Sequence, residues 1–250
     1  MRWSYATASV RGTSHVRAGT RLQDAKRCFV VGDTSLLVVV ADGAGSATFG
    51  GEGAAIVCRT IATSAHSLLA TSPDIPTDDM VWSWVDECRD RISVSAAKRD
   101  SSPRQFATTM VLVLATKAGV LTAHVGDGAA VGRHCDDRQW SVLSRPAHGE
   151  YASTTFFITD DPEPQLRISR YQPDYDAIAV FSDGIENLVI DHRTGEASPS
   201  FFDPMARPLD NSPVIGRDFG LSRNLAAFLD SARVNDLTDD DKTLVIAARK

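Results

Sequence analysis

Residues 36–46 read Leu36-Leu37-Val38-Val39-Val40-Ala41-Asp42-Gly43-Ala44-Gly45-Ser46. Six apolar residues run without a break and end on Asp-Gly. A run of that length, closed by glycine, is a buried strand, far short of the roughly 20 apolar residues that cross a membrane. Asp42 then sits where the strand leaves the core. The setting recurs along the chain. Asp127-Gly128 follows a strand pattern at 121–126, and Asp183-Gly184 follows one at 178–182. Asp239, Asp240 and Asp241 precede an apolar run at 243–248, and Asp24 precedes the first hairpin pattern. Side chains leaving several strands at one edge can converge. Carboxylates so gathered repel one another unless a cation sits among them, and an all-oxygen set suits Mg²⁺ or Mn²⁺ rather than zinc. Taken singly, each Asp-Gly also reads as an ordinary turn, Asp127-Gly128 most of all, and Asp183 reads equally as the cap of a short helix.

Upstream, residues 28–31 and 36–41 flank Gly32-Asp33-Thr34-Ser35, a hairpin pattern. Downstream the period changes. Val57, Ile61, Ala65, Leu68 and Leu69 share one face of a helix over 52–70. A second helix starts near Thr77, a good N-cap, with Val81, Trp84, Val85, Cys88 and Ile92 on its apolar face. Strand patterns follow at 107–116, 120–126, 129–134, 139–143, 156–159, 166–171 and 177–182. Their close spacing predicts antiparallel pairing, because parallel strands need long crossovers. Residues 191–211 are rich in Pro, Ser, Asp and Arg without periodicity, and read as a mobile surface insertion. Leu221, Leu225, Phe228, Leu229 and Ala232 mark a last helix, and 243–248 a last buried strand. Strands interrupted by long helices predict one α+β domain over 1–250, with helices covering the sheet faces.

The 250 residues carry 26 basic and 32 acidic side chains, a net charge of −6, with 43% hydrophobic residues. These values exclude a collagen-like or disordered chain. The acidic balance argues against nucleic acid, which leaves a basic footprint. Residues 1–10 hold no apolar stretch of signal-peptide length and no run is long enough for a membrane, so a cytoplasmic protein is expected. Cys28, Cys58, Cys88 and Cys135 are widely spaced and read as reduced core thiols. His66, His124, His134, His148 and His192 lie on unrelated segments without metal-ligand spacing, and read as surface or core histidines. The phosphate-loop pattern is absent, and Gly43-Ala44-Gly45 starts a dinucleotide fingerprint that Thr48 breaks. Without a Gly-x-Ser-x-Gly elbow, Ser46, Ser182 and Cys58 read as structural.

Four segments in order resemble the metal-dependent protein phosphatases of the PPM type, also called type 2C. Residues 38–46 (VVVADGAGS) resemble their first metal motif. Residues 106–109 (FATT), a strand pair and Val125-Gly126-Asp127 resemble the central one. Residues 179–184 (AVFSDG) resemble the third, and Asp240-Asp241-Lys242-Thr243 the last. Gln23-Asp24-Ala25 after Ser14-His15, and Gly149-Glu150-Tyr151, look like a bacterial branch of the family. The resemblance implies a four-layer α-β-β-α sandwich of two antiparallel sheets flanked by helices, with two Mn²⁺ or Mg²⁺ ions at one end. By motif, Asp42 would bridge both ions and Gly43 would ligate through its carbonyl. Asp183 and Asp240 would hold one ion, and Asp24 would support the site. Asp127 matches a position that helps hold a third, weaker ion. A hydroxide shared by the two ions would then hydrolyse phosphoserine or phosphothreonine on a protein, the target of a cognate kinase. A flap at about 191–220 would stand beside the cleft.

The chain also departs from that pattern. Ala44 stands where a His serves as candidate general acid, Gln23 where many members have Glu, and Asn187 where some have an acid. Gly19 stands where an Arg clamps the phosphate, so His15, Arg17 and Arg21 become the candidate phosphate-binding residues. These losses keep two other readings open: a catalytically silent phosphatase-like binding module, and a hydrolase of small phosphate esters.

Overall fold

Residues 2–32, 34–147, 155–191 and 194–250 are described in a computed structural model of the chain. Asp33 of the expected hairpin, His148, Gly149-Glu150-Tyr151 and His192 lie outside the described residues. The first half of the chain forms β1 (Trp3–Val10), α1 (Thr13–Ala18), β2 (Ala25–Val31), β3 (Ser35–Ala41), α2 (Gly50–Thr71) and α3 (Asp78–Ala97). Five strands follow: β4 (Met110–Ala115), β5 (Val120–Val125), β6 (Ala129–His134), β7 (Trp140–Ser144) and β8 (Arg167–Tyr171). Then come β9 (Tyr175–Phe181), α4 (Glu186–Val189), β10 (Ile190–Asp191), β11 (Glu196–Ala197) and α5 (Pro199–Asn211). The chain closes with β12 (Gly216–Arg217), α6 (Phe219–Leu229), α7 (Ala232–Asn235) and β13 (Lys242–Arg249).

Every residue of β3 is buried, which is why its sequence shows no alternation. The alternation is still present, but it divides residues between two cores. Leu37, Val39 and Ala41 pack with Val57, Ile61, Val85 and Ile92 of α2 and α3. Leu36, Val38 and Val40 point the other way, onto Val180, Val245 and Ala247 of the second sheet. That sheet in turn sends Ala179, Phe181, Leu244 and Ile246 against Phe202, Leu225 and Leu229 of α5 and α6. Period-2 side chains on two stacked sheets thus give four layers, α-β-β-α. One sheet has the order β2-β3-β4-β5-β8 and the other β12-β1-β13-β9-β6-β7, with a small β10-β11 pair apart. Pairing is antiparallel throughout, save that β12 runs parallel to β1. In the six-stranded sheet β1 lies beside β13, matched from Trp3↔Arg249 to Val10↔Lys242.

α2 and α3 form where the periodicity places them, and Thr77 caps α3 by accepting from the Met80 amide at 3.3 Å. Several expectations are corrected. The described residues of 191–211 are not an aperiodic surface insertion. They include α5, whose Phe202, Ala206 and Leu209 are fully buried. The spacing of four and then three is a helical stripe, masked by Pro204 and Pro208 inside the helix. Arg133, 2% exposed, holds α5 further by pairing with Asp176 and with Asp210, both at 2.7 Å. No strand forms over 156–159. Asp127-Gly128 is not a hairpin turn, because β5 and β6 belong to different sheets and the chain crosses between them there. Cys28, Cys58 and Cys88 are buried free thiols, but Cys135 is exposed. No helix among the described residues is long and apolar enough to cross a membrane.

If α5 is a core element, Phe202→Ala will cost about 3–5 kcal/mol of stability. Denaturant unfolding measures this directly. A loss under about 0.5 kcal/mol would return the segment to the surface.

Candidate active site

The strand ends open into a cleft of about 1210 Å³. Asp42, Gly43, Asp127, Asp183, Asp240 and His15 line it. Asp42 leaves the end of β3, in the five-stranded sheet, and Asp183 leaves the end of β9, in the six-stranded sheet. Asp240 comes just before β13, and Asp127 sits on the crossing between the sheets. Asp24 does not line the cleft. It is buried behind it, where Ser182 Oγ donates to Oδ2 at 2.8 Å.

The residues around Asp42 explain their own types. Thr108 Oγ1 and the Thr109 amide both donate to the Asp42 carbonyl, at 2.7 and 2.9 Å. The Asp42 amide donates back to Thr109 Oγ1 at 3.0 Å. The two threonines therefore fix the backbone that aims the carboxylate. Gly43 permits a close approach: a Cβ there would lie 2.2 Å from the Gly50 carbonyl carbon at the start of α2. Gly184 does the same for the last strand, since its Cβ would lie 1.9 Å from the Asp241 carbonyl oxygen. Both Asp-Gly pairs thus answer to packing rather than to turn formation.

Charge is the dominant problem in this cleft. Burial pushes the Asp24 carboxyl up to about 6, hydrogen bonds from Thr243, Ser182 and Asp42 pull it down, and the charge of Asp241 raises it. Burial lifts Asp42 well above the carboxylate range, followed by the charges of Asp24 and Asp183. Burial and then the Asp127 charge carry Asp183 up to about 7, against a hydrogen bond with Asp42. All three carboxyls are thus pushed above the range of an exposed carboxylate. Asp24 Oδ1, Asp183 Oδ1 and Gln23 Oε1 are moreover buried without a hydrogen-bond partner. Unpartnered oxygen atoms beside crowded carboxylates fit a hard divalent cation. The carboxylates meet as pairs, Asp24 with Asp42 and Asp42 with Asp183. No group of three or more His, Cys, Asp or Glu is set as a ready metal-ligand cluster among the described residues.

Of the candidate phosphate-binding residues, His15 reaches the cleft and the two arginines do not. Arg17 pairs with Asp239 at 2.8 Å on the surface, and Arg21 is exposed elsewhere. Among the described residues the Lys or Arg that does line the cleft is Arg104, which lies outside the motifs singled out in the sequence. Asp241 was missed as well. Its Oδ1 accepts from the Gly12 amide and its Oδ2 from the Gln23 amide, both at 2.6 Å. His15 Nδ1 lies 2.9 Å from Oδ1, at ion-pair distance though off the angle of a hydrogen bond. One buried carboxylate therefore ties the start of α1 and the segment around Gln23 to the last strand. The signal available was its place beside Asp240 in the Asp-Asp-x-Thr segment. Residues 155–157, 159–163 and 165 form one wall of the cleft, and among the described residues none of 194–220 lines it.

Two stacked antiparallel sheets thus bring carboxylates from both to one cleft. The Protein phosphatase 2C family pattern matches residues 11–230. Serine/threonine-protein phosphatase 3 of Escherichia coli (strain K12) is 33% identical over 99% of this chain and 98% of its own. The fold is shared with PppA, a regulatory component of T6SS in Pseudomonas aeruginosa, at a TM-score of 0.66 and 15% identity, over 99% and 98% of the two chains. It is shared with the serine/threonine phosphatase Stp1 of Staphylococcus aureus at 0.63 and 19%, over 98% and 94%. A magnesium complex of RsbX is similar at 0.59 and 12%, over 98% and 94%. The chain belongs to the Protein phosphatase 2C family and is a protein serine/threonine phosphatase.

The raised acids set a pH dependence. A carboxyl near 3.9 unfolded and near 6 or 7 folded favours the fold while neutral. That contribution is complete below about pH 4 and is lost as pH rises through 6 and 7. In chelator, the thermal midpoint of wild type should therefore fall between about pH 5 and pH 8 more steeply than that of Asp183→Asn. Equal slopes would show that Asp183 is not held protonated.

Proposed function

We propose that this chain hydrolyses phosphoserine and phosphothreonine on proteins with two Mn²⁺ or Mg²⁺ ions held by Asp42, the Gly43 carbonyl, Asp183 and Asp240. Asp24 supports Asp42 from behind, and Asp127 helps to hold a third ion. The observation that carries this reading is the set of carboxylates lining one cleft, Asp42, Asp127, Asp183 and Asp240, with Asp183 Oδ1 buried and without a hydrogen-bond partner. When bound, the ions supply positive charge to the phosphoryl oxygens and lower the pKa of water.

The remaining work falls to side chains. Ser182 and Cys58 are poorly placed as nucleophiles. Ser182 Oγ is engaged by Asp24 and by the Thr243 amide at 3.1 Å. Cys58 is fully buried, and burial pushes its thiol upward. Water is then the attacking group. Arg104 meets the phosphate as a cation at the cleft edge. His15 takes the place of the histidine missing at Ala44. With Nδ1 facing Asp241, Nε2 is the ring atom left to give a proton to the departing alcohol oxygen. The substrates are phosphoproteins made by a serine/threonine kinase, met in the cytoplasm.

The deciding experiment strips the protein with chelator and assays an aryl phosphate and a phosphothreonine peptide with and without Mn²⁺. Wild type should regain activity on both, and Asp42→Ala on neither. Hydrolysis indifferent to Mn²⁺ and to Asp42 would sink the proposal. Mn²⁺ binding without hydrolysis would mean a silent binding module, and activity confined to the aryl ester a small-molecule hydrolase.

His15→Gln separates proton donation from phosphate binding. An aryl oxide leaves without help, whereas a threonine alkoxide does not. We expect kcat on the peptide to fall about 100-fold with aryl phosphate turnover within about threefold of wild type. Equal losses on both substrates would assign His15 to phosphate binding instead.

A further inference from the structure

The cleft wall at 155–165 is irregular backbone, without a strand ladder to satisfy its carbonyls. One side chain from a different layer supplies the partners. Arg89, in the middle of α3, sends Nη1 to the carbonyls of Ile158 at 2.9 Å and Asp160 at 2.7 Å. Its Nη2 reaches the Pro162 carbonyl at 3.1 Å. No carboxylate pairs with Arg89 among the described residues, so its guanidinium is given over to backbone. The planar fork matches a curved row of carbonyls in a way that an ammonium cannot.

The wall is fixed at a second point. Ile158 is fully buried in the core under α3, and its amide donates to the Thr108 carbonyl at 2.9 Å. Thr108 is the residue whose hydroxyl holds the Asp42 carbonyl. Ile158 is therefore keyed to the reacting centre through Thr108, and the carbonyls of Ile158, Asp160 and Pro162 are keyed to α3. Phe156, Phe157, Asp160, Asp161 and Glu163 face the cleft from this segment. They line the same cleft as Asp42, Asp183 and Asp240, so a polypeptide that brings a phosphate to those carboxylates has this wall beside it.

We propose that Arg89 is a positioning residue for protein substrates. It holds residues 158–162 in the register that receives the peptide, and it takes no part in handling the phosphate. The proposal rests on the phosphatase reading above. Substrates that fill only the phosphate end of the cleft should not sense Arg89, whereas substrates with flanking polypeptide should.

The test compares Mn²⁺-loaded wild type, Arg89→Met and Arg89→Lys on p-nitrophenyl phosphate and on a ten-residue phosphothreonine peptide. Met keeps the aliphatic packing and removes all three donations. For Arg89→Met we expect KM for the peptide to rise about tenfold with kcat unchanged, and aryl phosphate kinetics within about twofold of wild type. Arg89→Lys, which keeps donors but not the fork, should fall between, and it decides the matter if the Met variant does not fold. An unchanged peptide KM, or equal losses on both substrates, would overturn the proposal. A wild type inactive on both substrates would instead refute the phosphatase reading and would be seen before any variant is made.

Discussion

Carboxylates cannot be crowded into a poorly hydrated space and all remain charged. Asp42 is raised by burial and then by Asp24, Asp183 and Asp240, and much of the architecture exists to hold those groups there nonetheless. Both sheets contribute one, and the residues between them serve as spacers and anchors. Thr108 and Thr109 fix Asp42, Ser182 steadies Asp24, and glycines at 43 and 184 let neighbouring backbone close in. The acids raise the free energy of the fold when ionised, a cost of the kind that functional sites commonly carry. The net charge of −6 is then partly a property of this site rather than of the surface.

Asp241 plays the opposite part to its neighbour Asp240. Both its oxygens accept short hydrogen bonds from amides, so its charge is compensated by peptide dipoles. It converts the N-terminal segment around Gly12, His15 and Gln23 into part of the cleft. An asparagine there could accept through one oxygen only, so a carboxylate suits a position that must grip two amides at once.

The layers of the fold were legible because they rest on local spacing. The unbroken run of β3 and the helical stripes of α2 and α3 declare themselves within a few residues. Where a stripe was disguised it was missed: Pro204 and Pro208 hid Phe202, Ala206 and Leu209 in α5. β1 was missed because Ser4, Thr7 and Ser9 make it look polar, although its first six residues are buried. The gathering of Asp42, Asp127, Asp183 and Asp240 around one cleft was readable from their shared strand-end setting. The sheet change at Asp127 was not, because spacing cannot say which sheet a strand joins. Nor could spacing show that Arg17 turns to Asp239, that Arg104 faces the cleft, or that Arg89 reaches 69 residues along the chain to Ile158.

The pairing of β1 with β13 has a consequence for how the protein is made. The first strand and the last lie side by side within the six-stranded sheet, with β12 and β9 on their outer sides. During synthesis β1 lacks its long antiparallel partner until β13 has been made. Contacts this distant in sequence slow folding, because the whole intervening chain must be ordered to bring the ends together. Asp240 and Asp241 arrive at the same moment. The six-stranded sheet and the cleft are therefore completed together, when β13 takes its place between β1 and β9.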